Sequence, residues 1–290
     1  MDKYTTAILI GTVFGILSRL NMLRTDYRQY PTHLHGKIIH ISLGVIASGL
    51  GAVLVPALLE ENYTAITFLA LAAQQFRDVR NMERETLSEL DNMELVPRGK
   101  SYIEGIAMVF EGRNYLVIFT AFISSFMTIW FQWYGGVAIG IVMIITNHSI
   151  MRGKSLSSIA DIRPASLRFD QYNLFVEDIH IMNIGLQENK EEILKRGIGV
   201  IITPKNINAR ITIANHGQRQ AILHDLSSIL GVYRDSGTPA LVPLSKLHLD
   251  DGRLAVFHIP IESSAYHGAE VVKRVTILES AIRMATEAKR

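Results

Sequence analysis

Residues 115–134 read YLVIFTAFISSFMTIWFQWY, a run of twenty positions without one charged side chain. A helix needs about 20 largely apolar residues to cross the ~30 Å hydrocarbon core of a bilayer. The aromatic residues Trp130–Tyr134 close the run, as is typical of the boundary between membrane and water. The stretch therefore predicts a transmembrane helix and places the chain among membrane proteins.

Further apolar segments lie on both sides of this one. The first, 4–23, lacks a basic start and a small-residue cleavage site, so we interpret it as a retained helix and not as a signal peptide. A shorter segment, 63–76, ends in two glutamines and is too short for a confident span by length alone. With 38–59 and 135–151, the chain has five candidate membrane segments.

Basic residues indicate how these segments cross. The connections 24–37 and 77–114 carry several arginines and lysines, whereas the connections 60–62 and 134–135 carry none. Because basic residues collect in cytoplasmic loops, five crossings with the N-terminus outside would put every basic connection inside. The sequence thus predicts a cell-membrane protein whose C-terminal half lies in the cytosol.

The C-terminal half has short alternating apolar runs in place of long ones. We predict a membrane domain, 1–151, with a cytosolic loop, 77–114, then a linker, 152–164, and a cytosolic α+β domain, 165–290, with a ferredoxin-like fold. Its predicted strands are 174–184, 197–203, 209–214, 241–249 and 254–259, and its predicted helices are 188–196, 217–230 and 265–288.

Polar side chains cluster at the predicted inner ends of the membrane helices. Polar groups within a membrane are costly and often mark a functional site, so we expect a cavity that opens to the cytosol. The alternative is that each group merely satisfies a helix end. Candidate catalytic residues at this level are Ser18, His40, Ser42, Glu104 and His148, although no hydrolase motif joins them.

Glu104 lies in an apolar piece, 102–110, that is too short to cross and would be re-entrant or lie at the interface. A carboxylate there needs a partner or water, and Arg113 is the nearest obvious counter-charge, with Glu111 beside it. We therefore predict either a structural arginine–glutamate clamp or a functional carboxylate. The preceding residues, 77–94, predict an amphipathic helix along the membrane surface.

The residue types of the chain give little reason to expect a metal or a cofactor. The chain has no cysteine, and His33, His35 and His40 fit no standard zinc spacing, so we expect no metal and no cofactor. The net charge of +2 gives no reason to expect nucleic acid. Asn215 and His216 open a predicted helix whose first amide groups are suited to binding an anion.

Gly44, Ser48 and Ala52 recur at four-residue intervals in the second apolar segment. Small residues at this spacing allow helix backbones to approach closely in lipid. The pattern predicts tight packing within the chain or a homodimer.

Residues Tyr102–Ala107 spell YIEGIA. This hexapeptide resembles the one that names the YIEGIA family of membrane proteins in endospore-forming Firmicutes, and the resemblance extends to length and to the order of a multi-pass and a soluble half. It implies a role in sporulation, a location in the forespore or spore membrane, and a protein partner in the forespore or mother cell. It singles out Tyr102, Glu104 and Gly105; the extension through Arg113 is inferred from charge.

Three functions remain open on this basis. The first is a non-enzymatic regulator or scaffold of sporulation that acts through its cytosolic domain. The second is a membrane-embedded protease that uses the inner polar cavity, and the third is a transporter or channel component with Glu104 on its path.

Overall fold

The computed structural model describes residues 3–29, 34–150, 153–233, 241–261 and 264–282. The chain divides into two compact units within this fold. The helical unit comprises Met1–Glu85 and Ile106–Gly153, and the sheet unit comprises Thr86–Gly105 and Lys154–Arg290.

Four helices, α1 Lys3–Gln29, α2 Leu34–Leu59, α3 Tyr63–Asp91 and α4 Lys100–Ile150, occupy the N-terminal half. Within the described part of the chain, three helical stretches are long and apolar enough to cross a membrane. They are Lys3–Leu23, Lys37–Leu59 and Lys100–Ser149. The sequence prediction of apolar helices long enough to cross a membrane is thus confirmed for these three stretches.

The third stretch is not a single straight helix. Phe131 and Gln132 leave the helical conformation, and Gln132 takes a φ of 60° and a ψ of −172°. The break therefore divides α4 inside the aromatic run, a few residues before the predicted boundary between 115–134 and 135–151.

Two other predicted pieces merge with their neighbours. The segment 63–76 and the amphipathic helix 77–94 form the single helix α3, because no proline or glycine separates them. Residues 102–110 are the first turns of α4 and not an independent re-entrant piece, so that prediction is wrong. The chain leaves the helical conformation between Asp91, the end of α3, and Lys100, the start of α4.

Small residues let the helices of the helical unit pack closely. A Cβ atom added to Gly15 would lie 2.6 Å from the Ser48 hydroxyl, and one added to Gly11 would lie 2.6 Å from the Ala121 carbonyl oxygen. Ser48 and Ala52 are fully buried. The predicted small-residue face of α2 is thus used inside one chain.

The sheet unit contains two antiparallel sheets. The larger has the order β1 (Ala160–Ala165), β5 (Ile198–Pro204), β7 (Leu254–His258), β6 (Leu244–Leu247). The smaller has the order β2 (Leu167–Asp170), β3 (Asn173–Val176), β4 (Ile179–Asn183). The helices are α5 Gln187–Arg196, α6 Ile207–Ala214, α7 His216–Leu230 and α8 Ala265–Arg274.

The two sheets share an apolar core. Leu174, Ile201 and Phe257, from β3, β5 and β7, are fully buried in one cluster. The first five residues of β5 are buried on both faces, so its continuous β-branched run marks the central strand. Short 3₁₀ turns at Leu156–Ser158 and Glu279–Ala281 complete the unit.

Several sequence predictions for this half need correction. Residues 209–214 belong to helix α6, because the Asn206 side chain accepts a hydrogen bond from the Ala209 amide and caps the helix. The predicted strand 174–184 is the β3–β4 hairpin, and β1 occupies part of the predicted linker. Helix α8 ends at Arg274; residues 283–288 of the predicted helix lie outside the described part.

The ferredoxin-like detail of the prediction stays a prediction. That fold is built from split β-α-β units, in which a third strand lies between the two strands that a helix joins. In the larger sheet, β7 lies antiparallel between β5 and β6, the two strands that α6 and α7 join in sequence. An α+β class, with a small antiparallel-sheet domain after a helical region, is what the sequence predicted correctly.

Candidate functional site

The N-terminal end of α4 is fixed by hydrogen bonds from the end of α3. The two carboxylate oxygens of Asp91 accept from the backbone amides of Arg98 and Gly99, at 2.7 and 2.8 Å. Gly99 has a φ of 82°, which favours glycine. The chain reversal before the YIEGIA motif is therefore well defined.

The motif then packs into the sheet unit through two glycines. A Cβ atom added to Gly105 would lie 2.2 Å from the Ser280 hydroxyl oxygen. One added to Gly217 of α7 would lie 3.1 Å from both the Tyr102 amide nitrogen and a Leu278 methyl group. We call the set Tyr102, Gly105, Gly217, Leu278 and Ser280 the YIEG contact.

A buried glutamine supports this contact from behind. The Gln218 side chain is fully buried; its Nε2 donates to the Thr276 carbonyl, and its Oε1 accepts from the Leu278 amide at 2.7 Å. The 276–278 segment is thereby held against α7. The sequence reasoning missed Gln218, since nothing in its local pattern separates it from an exposed helical glutamine.

His224 links the same helix to the loop before α4. Its Nδ1 lies 2.7 Å from the Val96 carbonyl oxygen and must donate to it, which leaves Nε2 as acceptor for the Ser228 hydroxyl at 3.2 Å. The neighbouring Asp225 is half-buried, and burial raises the pKa of its carboxyl, an effect that the Arg98 guanidinium opposes.

The predicted anion site at the start of α7 has another use in the structure. The Asn215 side chain accepts from the Gln218 amide at 3.2 Å and caps the helix. Gly217 packs on the backbone of Ser101 and Tyr102, while His216 is exposed. The first turn of α7 is thus part of the packing around the YIEGIA motif.

The helical unit contains a second candidate site, a buried chain of polar groups. Arg19 and His40 are 1% and 2% exposed. Arg19 Nη2 lies 3.4 Å from His40 Nδ1, and His40 Nε2 lies 3.5 Å from Glu83 Oε1. We call these three residues the Arg–His–Glu chain. The Phe110 ring covers it, with its centroid 4.5 Å from that of His40.

The chemistry of arginine assigns the protons in this chain. Because a guanidinium only donates, His40 Nδ1 must accept from Arg19 and Nε2 must carry the hydrogen that faces Glu83. In this arrangement Nδ1, the basic nitrogen, faces the Arg19 guanidinium, so His40 would act as a general base only once Arg19 had moved away.

Sequence analysis named His40 but missed Glu83. The signal was present: Glu83 follows the buried Phe76 by seven residues, two helical turns on the same face. It was missed because α3 was divided at residue 76.

A separate hydrogen-bond group lies along α4. Asn147 Nδ2 donates to the Ser18 hydroxyl at 2.9 Å and to the Thr120 hydroxyl at 3.2 Å, and all three side chains are buried. Asn114 is 1% exposed, yet neither atom of its amide has a partner among the residues described.

The other predicted site residues are placed apart from these groups. Ser42 and His148 are exposed. Glu111 pairs with Arg80 at 3.0 Å and accepts from the Tyr115 hydroxyl. Glu104 belongs to the sheet unit, whereas the buried Arg113 belongs to the helical unit.

Among the described residues, no group of three histidine or acidic side chains is placed to hold a metal ion. The side chains of His33 and His35 lie outside the described part.

These features define a class of protein: apolar helices long enough to cross a membrane, joined through the helix that carries YIEGIA to an antiparallel-sheet domain. The chain belongs to the YIEGIA protein family, whose sequence pattern matches residues 7–288. The resemblance read from Tyr102–Ala107 is thereby confirmed over nearly the whole chain.

A relative from Bacillus subtilis (strain 168), "Uncharacterized protein YphB", is 54% identical over 287 residues. The match covers 99% of this chain and 97% of the relative. No solved structure matches the chain.

Proposed function

We propose that this protein crosses the bilayer five times, with its N-terminus outside and its sheet unit in the cytosol, and that it acts in sporulation as a regulator or scaffold through that unit. A forespore or spore membrane is the proposed location. The family resemblance supports the sporulation role, and the following features support the membrane arrangement.

The length and break of α4 favour two crossings by this helix. Its 51 residues would extend roughly 75 Å if straight, against a hydrocarbon core of about 30 Å. The break at Phe131 and Gln132 lets the chain turn back. Trp130 and Trp133, which flank the break, are 55% and 61% exposed, as expected of side chains at a membrane surface.

The first half of α3 favours the remaining crossing. No residue in 63–75 is buried, and Tyr63, Phe68 and Leu71 are 72%, 69% and 56% exposed. The half-buried residues of this stretch follow one stripe of the helix, and the exposed apolar side chains on its other side are suited to lipid, because water would disfavour them. Its last residues reach Arg77, which can extend to the interface.

The YIEG contact is the observation that supports a regulatory role. The helix that begins at this contact continues as the longest apolar helix of the chain. A partner that displaced Leu278 or Ser280 would therefore act on the first turn of α4. Regulation needs such a structural connection between a binding domain and the membrane, and no reactive group is required for it.

The test uses two glycines of α4 in a spore-forming host that lacks the native gene. Gly105→Val places a branched side chain into the YIEG contact, whereas Gly112→Val is a matched control, because a Cβ atom at Gly112 meets nothing within 4 Å. We expect Gly112→Val to restore heat-resistant spores and Gly105→Val not to, at equal protein levels in the membrane. Normal spore numbers without the gene would refute the sporulation role.

A second function, hydrolysis within the membrane, is favoured by one observation, the His40–Glu83 pair in the buried Arg–His–Glu chain. It would make His40 the base, once Arg19 has moved away from its Nδ1, and Glu83 its orienting group. His40→Gln and Glu83→Gln should then each abolish processing of one specific protein in sporulating cells, measured by comparing proteomes. A regulator should tolerate both changes if membrane levels stay normal.

A further inference from the structure

The break in α4 opens a cleft at the end of the helical unit where α1 begins. The cleft has a volume of about 470 Å³ and is lined by Lys3, Thr6, Thr128, Trp130, Gln132 and Trp133, with Ile129 at its base. Neither of the two proposed functions uses it.

The lining is rich in hydrogen-bond donors. Lys3 supplies an ammonium group, Gln132 an amide, and Trp130 and Trp133 an indole N–H each. None of the described residues that line this cleft is an aspartate or glutamate, and Lys3 has no ion pair within the described part of the chain. A donor-rich cavity with an unpaired cation favours an anion.

The two tryptophans that line the cleft favour one kind of anion over others. Trp130 stacks on Phe126, with ring centroids 4.3 Å apart, and yet more than half of its surface is exposed. Trp133 is exposed to a similar degree. Exposed indoles beside a cation suit a ligand that is charged at one end and apolar at the other, because an indole has an apolar face and a polar N–H.

From this geometry we propose that the cleft binds the phosphodiester headgroup of an anionic phospholipid, with the phosphate at Lys3 and the glycerol and first acyl carbons against Trp130 and Trp133. The inference rests on the proposed crossing of the membrane, which puts this end of the unit at the outer interface. A second cleft that Lys3 also lines adjoins Leu59, which precedes Glu60 and Glu61; their charge disfavours an anion on that side.

The sequence provides its own probe for this site. The chain contains two tryptophans, and both line the cleft. Tryptophan emission of the full-length protein in a neutral detergent therefore reports on the cleft directly. The protein would be titrated with mixed micelles containing phosphatidylglycerol, with phosphatidylcholine micelles, and with inorganic phosphate.

We expect a saturable emission change with phosphatidylglycerol and a much weaker one with phosphatidylcholine. Lys3→Gln should lower the affinity for phosphatidylglycerol by about tenfold, since it removes one charge-assisted contact. The control Lys246→Gln makes the same charge change on exposed strand β6 of the sheet unit and should leave the titration unchanged.

Equal responses to the two lipids, or an unchanged affinity in Lys3→Gln, would overturn the proposal. A saturable response to inorganic phosphate with none to the lipid would also overturn it in favour of a free-anion site. Because micelles impose no orientation, these results are separable from topology: a cysteine at position 3 that reacts with an impermeant thiol reagent outside intact cells tests the crossing by itself.

Discussion

Replacing Gly105 by alanine is the sharpest test of the YIEG contact. The new Cβ atom would lie 2.2 Å from Ser280 Oγ, 3.2 Å from Ser280 Cβ and 3.3 Å from a Leu278 methyl group. The hydroxyl can rotate away, but the two carbon contacts remain tighter than usual. Relief requires the Leu278–Ser280 segment to shift, although the Gln218 side chain holds the Leu278 amide.

The magnitude follows from two opposing effects. Forcing an extra methyl group into packed surroundings costs about 1–3 kcal/mol. Alanine in place of glycine inside a helix contributes about 1 kcal/mol of stability. Gly112 of the same helix has open space around it, so Gly112→Ala shows the helical gain alone. The difference between the variants should equal the packing cost, about 1–3 kcal/mol.

Hydrogen exchange of the full-length protein in detergent is the suitable assay, because it reports on segments separately. We expect faster exchange in Gly105→Ala than in Gly112→Ala for peptides covering 216–222 and 274–282. Adding Ser280→Gly, which removes both serine contacts, should recover part of the loss, with a coupling of about 1 kcal/mol. Equal protection in the two single variants would show that α4 does not pack on Ser280, and the reasoning would fail.

Three further changes probe other parts of the chain. Asn114→Leu should raise the melting temperature in detergent, because it removes a buried amide without a partner, a gain of about 1–3 kcal/mol. Asn147→Leu should lower the melting temperature, because two hydrogen bonds are lost. If both variants are destabilised, the Asn114 amide has a hydrogen-bond partner. Asp91→Ala should increase exchange at the Arg98 and Gly99 amides, a loss of about 1–2 kcal/mol; unchanged exchange there would contradict the cap. Burial lowers the pKa of His258 to about 4. The contribution of His258 to the free energy of unfolding of the sheet unit should therefore be complete above pH 6.5, and up to about 3 kcal/mol of it should be lost as the pH falls from 6.5 to 4. Hydrogen exchange of β7 in His258→Gln should lack this pH dependence.

Much of the helical half could be predicted from the sequence because apolar length is a direct physical requirement of a membrane span. The same reasoning failed where one helix changes character along its length. Segment 63–76 is apolar and 77–91 is charged, yet the backbone continues unbroken because nothing between them opposes a helix. Dividing α3 by composition hid Glu83, the acidic member of the Arg–His–Glu chain.

In the sheet unit, residues close together in sequence were enough to predict a helix start and two of the strands. The start of α7 followed from Asn215, and β6 and β7 lie within the predicted strands 241–249 and 254–259. Residues 209–214 contain three consecutive β-branched side chains, 211–213, and mimic a strand, but the Asn206 cap and the packing of Ala209 and Ile213 override that preference. The strand order could not be predicted, because it depends on contacts distant in sequence.

The YIEGIA hexapeptide itself shows why a motif can be recognised before it is understood. Read alone, its glutamate draws attention, since a carboxylate at a membrane boundary suggests chemistry. The structure gives two other positions a clear physical reason: Tyr102 lies 5% exposed against the start of α7, and Gly105 leaves room for Ser280. Both requirements are for packing inside the sheet unit, to which the first residues of α4 belong. A motif with this purpose should tolerate Glu104→Gln far better than Gly105→Val, and that order of effects separates a structural connection from a catalytic carboxylate.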